Sequence, residues 1–496
     1  MDQEHEESKV EFRGNLALAF LPIAIFIAFT IYMFVIKKAF DMVGLAMGGF
    51  IGIIIGTFFA KDWKKYWRAV MDGASYQMCG TLIMILFVVG IFSSLMKSTG
   101  VAQGFVWLGY NIGLQGNVFT MFAFIASCII ATATGTSIGT LFTAIPIMYP
   151  AGVLLGANPA MLAGAILSGA IFGDNLAPVS DTTIVSAATQ QYTRKIGSAD
   201  IGGVVSSRFK YAIIAAAAAA ILYLIFGGGG AIGGGAGNAD QILRENMNPK
   251  GLIMLLPVAA LLWIAISTRD IFTALIWGTI IGTVVAMVAG ILTWGNVVSI
   301  SDGSVHGFIF DGINGMVGTV TLCIALFGLI GVLDKSGAMS TLIDKLVHSK
   351  LANTPRGAEI VMAVGVILSS MAFGAATGPS LIMFGPMGDR IGKAQKLHPY
   401  RRANLLDGFG NTLPIVMPFS AFIFIVMGVV AGQSYDFLPT GVVNPATLFF
   451  GTIHPWMLFI VFGIAVITGW GREFEGPDGE PVRSKGNKIP ESALTE

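Results

Sequence analysis

The fold turns on one stretch: Phe172-Gly173-Asp174-Asn175-Leu176-Ala177-Pro178-Val179-Ser180-Asp181-Thr182-Thr183. It carries two carboxylates, an amide, three hydroxyls and a proline, directly after the apolar run 161–172. In hydrocarbon, freed backbone groups and ionisable side chains are costly, so such a run is kept where it binds something. A purely structural role fits that cost poorly.

The surroundings are those of a membrane protein. The 496 residues are 54% hydrophobic and 11% charged, against about 25% charged in soluble domains. Segments 16–36 and 251–267 run without a charge for long enough to cross a bilayer core. An all-α polytopic membrane protein is expected, with the lipid bilayer as its solvent. Acidic residues (Glu4, Glu6, Glu7, Glu11) precede the first segment, which is too long for a signal-peptide core and reads as a retained span. A net charge of +1 argues against nucleic acid as a partner. Cys79, Cys128 and Cys323 sit singly in apolar segments, so neither a metal centre nor a disulfide framework is expected.

Apolar spans fall at 16–36, 42–60, 78–96, 211–226, 251–267, 272–291, 317–333 and 449–469. Two more, 159–191 and 403–430, are broken by polar residues. Two pairs of apolar arms, 118–155 and 358–394, turn at the polar tips Thr134-Gly135-Thr136-Ser137 and Thr377-Gly378-Pro379-Ser380. They read as re-entrant hairpins, with full crossings as the alternative; either returns the chain to the side it left. With the N-terminus inside, ten crossings leave outside only Lys37, Lys38, Lys97, Arg244 and Lys250 of the 29 basic residues. The positive-inside rule then puts both termini in the cytoplasm, and the cell (inner) membrane is the expected location. Trp63 to Trp67, among Lys61, Lys64, Lys65 and Arg68, reads as an interfacial anchor. Asp72 and Asp311, each before a glycine, read as helix caps. His5, His306, His348, His398 and His454 read as surface residues, and the charged tail after Trp470 as disordered.

The chain is also a repeat. Leu21-Pro22-Ile23-Ala24 matches Leu256-Pro257-Val258-Ala259, Asp72-Gly73 matches Asp311-Gly312, and Leu95-Met96-Lys97-Ser98 matches Leu333-Asp334-Lys335-Ser336. The two tips match each other, and Phe172–Pro178 matches Phe409-Gly410-Asn411-Thr412-Leu413-Pro414 with one deletion. Ordered matches at offsets of 235–243 residues are not chance. Each half holds five spans and one hairpin. Five is odd, so the second half enters the membrane from the opposite side, an inverted-topology repeat with broken helices. The divisions are a tail at 1–14, a first repeat at 15–226, a Gly-rich external linker at 227–250, a second repeat at 251–470 and a tail at 471–496. The linker lacks the Gly-Lys-Ser/Thr ending of a phosphate loop.

The run Gly173–Thr183 closely resembles the signature of the NhaC-type sodium/proton antiporters, and the Gly410–Pro414 echo extends the likeness across nearly the whole chain. The resemblance implies the ion transporter superfamily architecture of inverted repeats, paired hairpins and broken helices, often as a homodimer. Such proteins include sodium/proton antiporters, malate/lactate exchangers and amino-acid carriers. Here Asn175-Leu176-Ala177 replaces the lysine or histidine and serine of some relatives, which leaves the solute open.

The residue chemistry agrees. Hard cations take oxygen ligands, and proline frees backbone carbonyls. Asp174, Asn175, Ser180, Asp181 and Thr182 supply side-chain oxygens, and Thr136 and Ser137 complete the shell. Na⁺ is expected at Asp174, Asn175 and Asp181, with H⁺ competing for the two carboxylates and no other cofactor. The second repeat offers Thr377, Ser380, Asp407, Asn411 and Thr412 for an ion or substrate. Asp407 lies one helical turn before Asn411 and close in sequence to Arg401 and Arg402, so a salt bridge to them is the alternative.

Two functions remain open. One is exchange of Na⁺ for H⁺. The other is Na⁺-coupled transport of a small organic solute, by dicarboxylate/lactate exchange or as an amino acid. An enzyme is not expected: an intramembrane aspartyl protease needs a Gly-x-Gly-Asp context, and residues 171–174 read Ile-Phe-Gly-Asp.

Overall fold

The computed structural model describes residues 9–37, 42–230, 245, 247–268, 270–301, 303–338, 341, 345, 349–433, 435, 437–483, 489–490 and 493. Most of the expected linker and of the N-terminal tail, residues 484–488, His5 and His348 lie outside them. Among the described residues, ten helices are long and apolar enough to cross a membrane, or up to twelve if each of two bent pairs is one span.

In the first half the helices are α1 (Leu21–Ile31, entered through the 3-10 turn Leu16–Phe20), α2 (Met42–Phe59), α3 (Trp63–Ala74), α4 (Gln77–Ser98), α5 (Val101–Asn111), α6 (Gly116–Thr134), α7 (Ser137–Leu154), α8 (Pro159–Leu176), α9 (Asp181–Ala188) and α10 (Ile201–Phe226). The second half has α11 (Leu255–Thr268, entered through the 3-10 turn Pro249–Met254), α12 (Ile271–Val288), α13 (Trp294–Val297), α14 (Phe308–Ser336), α15 (Pro355–Ala372), α16 (Thr377–Ala394), α17 (Pro399–Gly410), α18 (Leu413–Val416), α19 (Ala421–Ala431), α20 (Pro445–Gly451) and α21 (Ile453–Thr468). Two small hairpins, β1 (Ser299–Ser301) with β2 (Ser304–His306) and β3 (Glu473–Glu475) with β4 (Pro481–Arg483), complete it.

Several starts share one device: a polar residue whose side chain caps the first amides, then a proline at the first helical position, where its missing N–H costs nothing. Asn158-Pro159, Thr354-Pro355, His398-Pro399 and Asn444-Pro445 open α8, α15, α17 and α20 in this way. The arms α6, α7, α15 and α16 have 18 or 19 residues each, about 27 Å at the α-helical rise. In length they match full crossings as well as hairpins.

Burial sorts the helices. In α7 and in the span Pro159–Ala188, 94% of the most apolar window is buried, against 28% in α10, α11 and α12. The first two form the centre, and the last three turn apolar faces such as Trp263 and Val288 outward.

Helix α14 runs antiparallel to α3 and α4. Gly73 meets Gly331 near one end of α14, and Gly90 meets Gly312 near the other. A Cβ on Gly90 would lie 2.2 Å from the Gly312 carbonyl oxygen, and one on Gly312 would lie 2.5 Å from that of Gly90. Only glycine permits this approach. The segments so packed are the ones that Asp72-Gly73 and Asp311-Gly312 relate. Asp72 contacts Lys335 at 3.8 Å, and Tyr76 Oη donates to Asp334 (2.7 Å); the Asp72 end is thus an inter-helix contact.

Residues 471–483 are ordered, contrary to expectation. Glu473, Phe474 and Glu475 are buried. His398 N donates to Glu473 O (2.8 Å), and Glu475 N donates to Lys396 O (2.9 Å). The Glu475 carboxylate accepts from Thr193 N (2.7 Å) and Arg194 N (2.8 Å). The charges that suggested a solvated tail are used to bind two loops.

Candidate functional site

Helix α8 is apolar until its last turn. Pro178 cannot donate a backbone hydrogen bond and disfavours helical geometry in the residue before it, so Ala177 is extended and α8 ends at Leu176. The chain resumes as α9 at Asp181. The break is short, and Pro159–Ala188 still runs as one 30-residue span.

The break concentrates the polar groups. Asp174 is buried; its Oδ1 accepts from Ser180 Oγ (2.6 Å) and its Oδ2 from Ser137 Oγ (3.0 Å). Ser180 Oγ also lies 3.1 Å from Thr182 Oγ1. Asp181 stands in the first turn of α9, where the helix dipole favours a negative charge. Its Oδ1 accepts from Thr182 N (2.9 Å), and a Cβ on Gly378 would lie 3.1 Å from its Oδ2. The carboxylate of the first broken span therefore touches the tip of the second pair of arms.

The second half repeats the plan with other side chains. Its span Pro399–Val416 plus Ala421–Ala431 is bent by 52°. Thr377 Oγ1, at the tip, donates to Asn411 Oδ1 (3.2 Å), as Ser137 donates to Asp174. Asn411 Nδ2 donates to Asp407 Oδ1 (2.7 Å). Asp407 is ion-paired with Arg208, and both side chains are 0% exposed. The same Arg208 Nη1 donates to the Asn175 carbonyl and to Thr183 Oγ1 (3.2 Å), and Nε donates to Asn404 Oδ1 (2.9 Å).

A cavity of about 420 Å³ joins the two tips. Thr136, Ser137, Asp174, Asp181 and Thr182 face it from the first half, and Thr377 and Asn411 from the second. The other expected site residues are not on its wall. Ser180 supports Asp174 from behind, Ser380 Oγ accepts from Ser370 Oγ (3.0 Å), and Thr412 Oγ1 donates to Phe409 O (2.6 Å). The Asn175 side chain is buried with both amide atoms unpaired, while its carbonyl faces Arg208. Among the described residues no group of three His, Cys, Asp or Glu side chains is placed to hold a metal ion.

Gln77 and Thr81, on α4, line the cavity and escaped the sequence reading, which took 78–96 as a plain span. Arg208 escaped it too, as an assumed loop charge ahead of a span at 211. Its signal was present: Val204, Arg208, Tyr211, Ala215 and Ala219 form the buried stripe of α10 at helical spacing. Nor does Asp407 pair with its sequence neighbours. Arg401 bonds Glu359 (2.8 Å), Arg402 bonds Asp389, and Arg472 shares Glu359 (2.7 Å). These four arginines are buried, and Arg208, Arg401 and Arg402 lie on helices. His398 and His454, expected at the surface, are also buried.

The profile of a family described as "Na+/H+ antiporter family" matches residues 10–228 and 246–420. The chain is 25% identical over 467 residues to the malate-2H(+)/Na(+)-lactate antiporter of Bacillus subtilis, covering 91% of this chain and 94% of that one. It is 23% identical over 500 residues to the arginine/ornithine antiporter ArcD of Halobacterium salinarum, covering 97% and 98%. Over a shorter region of 174 residues, 35% of this chain and 37% of the relative, it is 27% identical to the Na(+)/H(+) antiporter NhaC of Alkalihalophilus pseudofirmus.

Proposed function

The chain belongs to the Na+/H+ antiporter family, and from that premise we propose that it exchanges Na⁺ for H⁺ by alternating access, the two ions competing for Asp174 and Asp181. The observation that carries this reading is the placement of both carboxylates on one cavity between the two tips. Each carboxylate holds either a proton or a share of the Na⁺ shell. Ser137 Oγ, Thr136 Oγ1 and Thr182 Oγ1 are the neutral oxygens at hand. A hard cation suits such a set. Asp407 is left out of the exchange because Arg208 already neutralises it.

Alternating access rests on residues 15–226 and 251–470 being inverted repeats, with both termini cytoplasmic. In support, the segments around Gly73 and Gly312 pack antiparallel, as equivalent segments of an inverted pair do. The test is a proteoliposome loaded with a pH dye. An imposed Na⁺ gradient moves protons with no organic solute present, and Asp181→Asn abolishes the movement. A wild-type protein that moves no protons under a Na⁺ gradient ends this reading.

A second reading, Na⁺-coupled carriage of a small organic solute, is favoured by the cavity itself. About 420 Å³ far exceeds the room one ion needs, since a water occupies only about 30 Å³. Relatives named for malate and lactate and for arginine and ornithine add to it.

A further inference from the structure

We propose that the cavity between the tips takes a small organic ammonium ion, its charged head competing with Na⁺ for Asp181 and Asp174, and that it rejects free carboxylates. This rests on the reading of those two residues as the cation site. Three features carry it.

The first is charge. The polar wall consists of two carboxylates with hydroxyl and amide groups, and none of the described residues lining it is Lys, Arg or His. An entering carboxylate would meet two like charges and no cationic side chain among the described lining residues, an arrangement that disfavours binding.

The second is the cation behind the broken span. Arg208 is fully buried and does not line the cavity. Its guanidinium is already engaged by Asp407, the Asn175 carbonyl, Thr183 and Asn404. It is held behind the broken span and has no donor turned to a solute in the cavity.

The third is the rest of the wall. Leu82, Ile138, Pro379 and Phe422 give it apolar faces. Such faces offer nothing to a hard cation, which takes oxygen ligands. They suit the alkyl body of a molecule whose ammonium head, with three donors, sits between the Asp181 carboxylate, the Asp174 carboxylate and a tip hydroxyl. The volume of about 420 Å³ lies in the range of small-molecule sites.

The experiment is ²²Na⁺ self-exchange in proteoliposomes of the full chain, with Na⁺ and pH equal on both sides. n-Butylammonium, lactate or malate is added outside, and potassium chloride keeps ionic strength constant. Butylammonium raises the apparent KM for Na⁺ at least tenfold and leaves the maximal exchange rate unchanged, while lactate and malate do nothing. In detergent, butylammonium also raises the unfolding temperature of the wild type but not of Asp181→Asn. Robust ²²Na⁺ exchange that butylammonium leaves untouched, or that lactate or malate inhibits, overturns the proposal and leaves the antiport reading standing. Absence of ²²Na⁺ exchange is a failure of that reading. The unfolding shift then decides the present one: a shift lost in Asp181→Asn upholds it, and no shift overturns it.

Discussion

The two broken spans share a plan and differ in charge. In each, a hydroxyl at an arm tip donates to the side chain that closes the first helical segment, Ser137 to Asp174 and Thr377 to Asn411. In the first span that side chain is a carboxylate held only by neutral hydroxyls, and a second carboxylate follows at Asp181. In the second span it is an amide, and the carboxylate behind it, Asp407, is closed by Arg208. An arginine cannot give up its proton, so it holds Asp407 in a permanent pair. A hydroxyl can support a carboxylate in either protonation state. The same scaffold thus yields one span suited to exchanging a cation and one suited to holding a fixed shape.

The largest expected effect tests the fixed span. Asp407→Asn leaves the buried Arg208 charge unmatched and should destabilise the protein by about 3–5 kcal/mol, seen as an early unfolding transition in detergent. The double variant Asp407→Leu with Arg208→Met should recover most of that loss, because apolar replacement of a buried pair is often neutral. If Asp407→Asn unfolds like the wild type yet loses Na⁺ exchange, the second span carries the ion and the contrast fails.

A smaller effect probes the first span. Ser137→Ala and Ser180→Ala each remove a hydrogen bond to a charged group, worth about 1.5–3 kcal/mol, so the KM for Na⁺ should rise roughly tenfold or more in each. An unchanged KM in both would separate Asp174 from the cation site. The smallest change is at Thr377→Val. It removes a neutral bond of about 0.5–1.5 kcal/mol and should move the KM for Na⁺ less than Ser137→Ala does. A larger shift at Thr377 would reverse the ranking of the two tips.

Much of this was legible in the residues. Charge-free runs mark the spans. Pro178 marked the break, with Asp174 and Asp181 on either side of it. What stayed hidden was tertiary. Arg208 looks like a loop charge until α10 is seen to begin at Ile201, because its partner Asp407 is 199 residues away. Gln77 and Thr81 reach the cavity through the packing of α4, which no local pattern records. Glu473 and Glu475 suggested a solvated tail, whereas Glu475 caps Thr193 and Arg194 and the hairpin backbone pairs with Lys396 and His398.

That last hairpin bears on how the molecule can move. It ties the loop after the first broken span, at Thr193 and Arg194, to the loop that opens the second, at Lys396 and His398. On that face the two broken spans are stitched together by the chain's own end, like pages held at the spine. They cannot part there without tearing out buried glutamates. Any movement that parts these two loops must first break the Glu475 contacts and the hairpin's backbone pairs with Lys396 and His398.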